Sequence, residues 1–244
     1  MRKSGIEVVG DIPWGSHLCL FYEARSDLLG VAASYLKAGL EGNELCVWVV
    51  SPDISQKDAL AALAPAVPAL ETHLRTHRLQ VVPHSQVYFT GKTLDPEHVL
   101  HWWQNRLDEV SQRGFEGLRV LGDTAWLERK DRDTFAGCEE AASEGMVGKQ
   151  VLALCAYPLD KCNPSDVFDV VQTHGSQVGA GFCYLLGGGV QSGLACAESP
   201  ACDAFTRSDC YRCRFVGFLA GDQPSSGYKV AFLLVVQTYD GLLR

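Results

Sequence analysis

The chain has 244 residues, of which 47% are hydrophobic, 9% aromatic and 20% charged, enough apolar material for one sizeable buried core. Its 21 basic and 29 acidic side chains give a formal charge of −8, which excludes the positive footprint needed to grip a nucleic-acid backbone. No apolar run reaches the roughly eighteen residues of a membrane span, and the start, Met1-Arg2-Lys3-Ser4-Gly5, leads into Ile6-Glu7-Val8-Val9 rather than an export signal; the expected setting is cytoplasmic, with no membrane contact.

In chain order, the first strand is expected over 17–22, where His17, Cys19 and Phe21 alternate with Leu18, Leu20 and Tyr22. Ser26-Asp27 is expected to cap a helix whose apolar positions Leu28, Ala32, Tyr35, Leu36 and Leu40 follow the helical period, ended by Gly39, Gly42 and Asn43. The continuous apolar run 45–50 predicts a strand covered on both faces, with Cys46 as a small core hydrophobe. Pro65 and Pro68 divide the helical stretch 55–77 into two short helices, and 78–82 is the third strand. Asp95-Pro96-Glu97 opens a helix through Val99, Trp102, Trp103, Leu107 and Val110 to Gly114. A fourth strand, 118–123, ends in the carboxylate of Asp123; a helix over 130–144, a strand over 150–157 and a helix over 165–174 follow.

Strands that are apolar runs, alternating with helices, predict an α/β fold with a mostly parallel sheet flanked by helices on both faces. After about His174 the texture becomes rich in glycine and cysteine, although 230–236 reads as a strand. This places a boundary between a domain over 1–174 and an extension over 175–244, which is either a small accessory element or a terminus foreign to the upstream domain.

Several positions carry chemistry, each beside a structural reading. The turn from Gly10 through Pro13-Trp14-Gly15 to His17 has the glycines of a phosphate-binding loop but no Gly-Lys-Ser/Thr, so nucleotide hydrolysis is not expected; on its own it reads as a packing corner. His17 and Cys19 share one strand face and offer an imidazole and a thiol, half a metal site, or a satisfied core histidine beside a packed cysteine. Asp123 at a strand's carboxyl end is either a functional carboxylate or a loop cap. Glu139 and Glu140 are adjacent on a helix, so at most one faces inward. Cys155, Tyr157 and Cys162 bring thiol, phenol and thiol to the same sheet edge, at a spacing that is not a metal-ligand pattern. Cys196, Cys202, Cys210 and Cys213 include a Cys-x-x-Cys pair able to hold zinc, against a default of unpaired thiols; no metal or cofactor is assigned.

Taken together, Trp14-Gly15-Ser16-His17-Leu18-Cys19-Leu20-Phe21-Tyr22, Tyr35-Leu36-Lys37-Ala38-Gly39-Leu40 with Asn43-Glu44, Gly117-Leu118-Arg119 with Gly122-Asp123 and Trp126, and Leu154-Cys155-Ala156-Tyr157-Pro158 with Cys162 resemble the MEDS domain, the sensory domain named for methanogens, methylotrophs and the regulator DcmR. The resemblance covers roughly residues 10 to 174. It implies a RecA- or KaiC-like three-layer sandwich that has lost its phosphate loop and senses simple hydrocarbon derivatives in prokaryotic signalling. It carries over to His17, Cys19, Tyr22, Asp123, Trp126, Cys155, Tyr157 and Cys162 as ligand-binding positions, with Glu140 as a weaker match.

The expected function is a non-enzymatic sensor that binds a small organic ligand and passes the signal to a partner, a kinase, transcription factor or anti-sigma system. Two alternatives stand beside it. One is a thiol-based redox or metal switch, or a cysteine-dependent enzyme, using Cys155 or Cys19 with His17; the other is a pure protein-interaction module.

Overall fold

In a computed structural model, the structure describes residues 1–7 and 9–175, together with the strands Cys183–Tyr184, Ala195–Cys196, Cys213–Val216 and Leu233–Gln237. Five parallel strands form the centre: β1 (His17–Tyr22), β2 (Glu44–Val50), β3 (Leu79–Pro83), β4 (Gly117–Asp123) and β5 (Val151–Pro158). With β6 (Cys213–Val216) and β7 (Leu233–Gln237) the sheet order is β6-β7-β1-β5-β4-β2-β3, and β7 runs antiparallel to both of its neighbours. The fold is therefore α/β, with a mostly parallel sheet. The strand expected near 230–236 is β7, paired directly with β1. The fold of 176–244 as a whole lies outside the described residues, as do Cys202 and Cys210 and with them any metal site of the set Cys196, Cys202, Cys210 and Cys213.

The continuous apolar runs are explained by cover on both faces. Leu18, Leu20, Trp48, Leu121 and Leu154 pack under α1 (Arg25–Glu41) and α2 (Gln56–Leu63), beside the short α3 (Leu70–Arg75). Cys19, Phe21, Val47, Val120, Cys155 and Tyr157 pack on the opposite side under α4 (Pro96–Arg113), α5 (Arg132–Met146) and α6 (Pro164–Gly175). Helix starts follow local chemistry. Asp95 accepts hydrogen bonds from the Glu97 and His98 amides, with Pro96 in the first helical position. The start of α1 differs from expectation: the helix begins at Arg25, and Asp27 in its first turn reaches back to accept from the Ala24 amide at 2.9 Å.

The glycine-containing turn before β1 is also placed differently. It lies at the amino edge of the sheet, where Gly15 donates to the Val151 carbonyl at 2.8 Å and Ser16 donates to Pro13 at 2.7 Å. A Cβ on Gly117 would fall 2.5 Å from the Trp14 ring, so this turn is a packing corner. A strand-loop-helix phosphate cradle would instead need the carboxyl end of β1. There only Glu23 and Ala24 separate Tyr22 from α1.

One ion pair fixes the amino-terminal segment to this frame. Arg119 on β4 is fully buried and bonds both oxygens of Glu44, at 3.1 Å through Nη2 and more closely through Nε. Its remaining donors reach the carbonyls of Lys3, Ser4 and Tyr35 at 2.9–3.0 Å. Gly39 makes room, since a Cβ there would lie 2.6 Å from Arg119 Cδ. Arg119→Met is expected to destabilise the fold by about 3–5 kcal/mol, because Glu44 loses its closest partner in a dry site. Arg119→Lys should recover little of this, since a point ammonium cannot replace a five-donor fork. Urea unfolding midpoints at constant m-value measure both.

Candidate functional site

Parallel pairing of β1 with β5 places His17 opposite Ala153 and Cys19 opposite Cys155, so all four side chains share the α5/α6 face. His17, at the start of β1, turns its Nε2 to the Cys155 sulfur at 3.2 Å and its Nδ1 to the Ser143 hydroxyl at 2.8 Å. Glu139 enters from α5, with Oε2 3.4 Å from His17 Nε2. His174 enters from α6, with Nε2 3.3 Å from the same carboxylate oxygen and its ring centroid 4.1 Å from that of His17. The Cys155 thiol donates to Glu139 Oε1 at 3.7 Å, and the Tyr157 hydroxyl donates to Oε2 at 3.3 Å. Four buried groups able to ligate a metal, His17, Glu139, Cys155 and His174, thus have their donor atoms within 4.8 Å of one another.

Burial dominates the electrostatics. Desolvation, reinforced by His174, pulls His17 down to about 3, so its imidazole is neutral. Desolvation, together with the neighbouring Glu139, pushes the Cys155 thiol well above its ordinary range. A thiolate-imidazolium pair of the kind that cysteine enzymes use is therefore disfavoured here.

Beside this cluster lies a cavity of about 350 Å³ at the carboxyl edge of the sheet. Glu139 and Tyr157 line it from the cluster side. Phe135 and Val170 supply apolar wall, while Arg129 and Lys161 add charge. Arg132 is paired with Asp166 across the opening, joining the starts of α5 and α6. The volume suits a small organic molecule, and the position is where parallel α/β sheets bind ligands.

The nine positions expected from the sequence do not share one site. His17 and Cys155 meet in the cluster; Tyr157 joins it through Glu139 and also lines the cavity with Cys162. Cys19 is buried in the core of the same face. Trp126 belongs to an aromatic group with Tyr88, Phe89 and Phe135, and so props the cavity wall from behind. Tyr22 and Asp123 lie on the other face. There Asp123 accepts from the Tyr22 hydroxyl at 2.9 Å, from Ser51, and from the Ala125 amide at 3.2 Å, a staple across three strand ends. The inward carboxylate of α5 is Glu139 rather than Glu140, which is exposed because it sits on the outer side of a helix whose buried stripe runs through Phe135, Cys138, Ser143 and Met146. Glu139, Ser143 and His174 were not singled out as site residues. The signal for the first two was that helical stripe, while His174 lies on α6 and meets the others only through the tertiary fold.

Fold and cavity together define an α/β domain with a ligand-sized hollow at the carboxyl edge of its sheet. Residues 16–175 match the family described as MEDS, the MEthanogen/methylotroph, DcmR Sensory domain, and the chain belongs to that family. No curated protein matches the sequence. Among solved structures, the chain is similar to the KaiC-like protein PH0186 from the hyperthermophilic archaeon Pyrococcus horikoshii OT3, at 18% identity and a TM-score of 0.47, covering 69% of this chain and 78% of that one. It is also similar to the flagellar accessory protein FlaH from Methanocaldococcus jannaschii, at 11% identity and a TM-score of 0.45, covering 75% and 77% of the two chains. Among the described residues no helix is long and apolar enough to cross a membrane.

Burial holds Asp123 above the usual carboxylate range despite its hydrogen bonds. The native state then keeps this proton to higher pH than the unfolded chain, so the stabilising contribution is greatest in acid and declines as pH rises through the native pKa. Asp123→Asn cannot ionise. Its melting temperature relative to the parent should therefore rise as pH increases above the ordinary carboxylate pKa of about 4; melting curves that stay parallel above that pH would contradict the assignment.

Proposed function

We propose that this chain is a non-enzymatic sensory domain whose cavity between α5, α6 and the end of β5 receives a small organic molecule, in the class of simple hydrocarbon derivatives. The observation that carries the reading is the cavity itself, about 350 Å³, whose polar inner wall is Glu139 and Tyr157. The carboxylate and phenol fix one polar group of a guest, and Phe135 and Val170 cover its apolar part. Of the expected binding residues, Tyr157 and Cys162 touch the guest directly, and His17 and Cys155 act from behind Glu139.

A guest bound here touches both α5 and α6. Signalling follows if it binds one arrangement of these helices more tightly than another, with the difference passed to a partner regulator. A non-enzymatic role is supported by the two-residue junction after β1, which leaves no nest of amides for a triphosphate. The cysteine-enzyme alternative is weakened by the burial that keeps Cys155 protonated.

Short alcohols, methylamines and halomethanes, with nucleotides as controls, can be screened by thermal shift and calorimetry. A cognate guest at 100 times its Kd should stabilise the domain by about 2.7 kcal/mol. Ala136→Trp, on the exposed cavity wall, should abolish the response while leaving stability within about 0.5 kcal/mol. Silence toward every small molecule, or a response that survives the tryptophan, would remove this proposal and leave the interaction-module reading.

A further inference from the structure

We propose that His17, Glu139, Cys155 and His174 form a binding site for one divalent transition-metal ion of the zinc type. A tetrahedral ion with bonds of about 2.0–2.3 Å sets its donors roughly 3.3–3.7 Å apart. The observed separations are 3.2 Å for His17 Nε2 to Cys155 Sγ, 3.4 and 3.3 Å for the two histidine Nε2 atoms to Glu139 Oε2, and 3.7 Å for Cys155 Sγ to Glu139 Oε1. Two imidazoles, a thiol and a carboxylate are a mixed donor set suited to zinc, and unsuited to calcium or magnesium, which take oxygen ligands.

The hydrogen bonds around the rings strengthen the assignment. His174 Nδ1 lies 2.8 Å from the Val170 carbonyl, which can only accept, so Nδ1 carries the proton and a neutral ring presents a bare Nε2 to the cluster. That Nε2 is buried and has no hydrogen-bond partner, although Glu139 Oε2 stands 3.3 Å away. A lone pair facing a carboxylate in a dry site is repulsive, and either a second proton on the ring or a metal ion between the two groups relieves it. His17 Nδ1 is held by Ser143 at 2.8 Å, which leaves its Nε2 facing inward as well. Nδ1 anchored outside and Nε2 presented inside is the usual dress of metal-ligating histidines. The Tyr35 hydroxyl and the Trp48 and Trp126 indoles are also buried without partners, but none is among the four clustered groups.

The ligands come from four separate elements, β1, α5, β5 and α6, so the ion would clamp both helices to the sheet. Binding requires Cys155 to lose its thiol proton to solvent as the metal-sulfur bond forms. Glu139 also lines the cavity, which makes it the ligand nearest to an entering molecule. The metal site does not depend on the sensor reading.

The test uses the full chain, stripped with chelator and titrated with Zn²⁺ and Co²⁺. One equivalent should bind per chain, the cobalt form should show thiolate-to-metal charge transfer and tetrahedral d–d bands, and zinc should raise the melting temperature. Cys155→Ser should remove the charge-transfer band, and His174→Ala should remove tight binding. Ser143→Ala deletes only a hydroxyl behind His17; it should weaken affinity about 10–100-fold and keeps the test informative if truncating a ligand unfolds the domain. Cys202→Ser with Cys210→Ser should leave the stoichiometry unchanged. Failure to bind either metal, or binding lost with the Cys202/Cys210 pair but retained in the Cys155 and His174 variants, would overturn the site.

Discussion

A sheet covered on both faces leaves no water for a polar side chain placed within it, and this desolvation constraint governs the interior of the domain. Arg119 meets it with a carboxylate and three carbonyls, so its charge is matched and its fork fully used. Asp123 meets it with two hydroxyls and an amide. Both are closed arrangements that join strands and segments already brought together by the fold. The third polar insertion, around His17 and Glu139, is different. With both Nε2 atoms bare, its donors and acceptors balance only if a further proton or a metal ion is shared among them, because two imidazole nitrogens and a carboxylate oxygen converge where a thiol and a phenol are the nearby donors.

This imbalance lies next to the cavity, and the two share Glu139. One carboxylate therefore faces both the buried cluster and the cavity. The frame from β2 to β4 is locked by the Arg119 ion pair and by apolar packing on both faces, whereas α5 and α6 meet at Arg132–Asp166 and around the cavity. Both helices also bury apolar side chains against the sheet, Phe135, Cys138 and Met146 from α5 and Val167 and Val170 from α6.

Much of the fold was legible because it rests on local signals. Continuous apolar runs such as 45–50 identify strands covered twice, Asp95-Pro96 marks a helix start, and Pro65 and Pro68 divide α2 from α3. The site was legible only in fragments. His17 and Cys155 stand out by residue type, but strand periodicity pairs His17 with Cys19 and says nothing of which strand lies alongside. The adjacency of β1 and β5, the first and last strands of the parallel set, decides the partner, and that is a property of topology. Asp123 was misleading for a related reason: the end of a strand does not reveal on which face its side chain falls, and one step of the pleat carries it away from Cys155.

The turn before β1 shows how a motif can mislead through composition alone. Glycines near a strand suggest a phosphate cradle, yet a cradle works because backbone amides at the carboxyl end of a strand converge with a helix amino terminus. Here the glycines precede the strand: the Gly10 amide donates to the Ile6 carbonyl at 3.1 Å and the Gly15 amide to the Val151 carbonyl of β5 at 2.8 Å, at the opposite edge of the sheet. At the end where a cradle would sit, α1 follows β1 after Glu23 and Ala24, and Asp27 occupies the Ala24 amide with a negative charge. A carboxylate in that position satisfies the helix terminus internally and repels phosphate. The cavity lies at this carboxyl edge on the α5/α6 side, lined by the Glu139 carboxylate and the Tyr157 phenol together with Arg129 and Lys161.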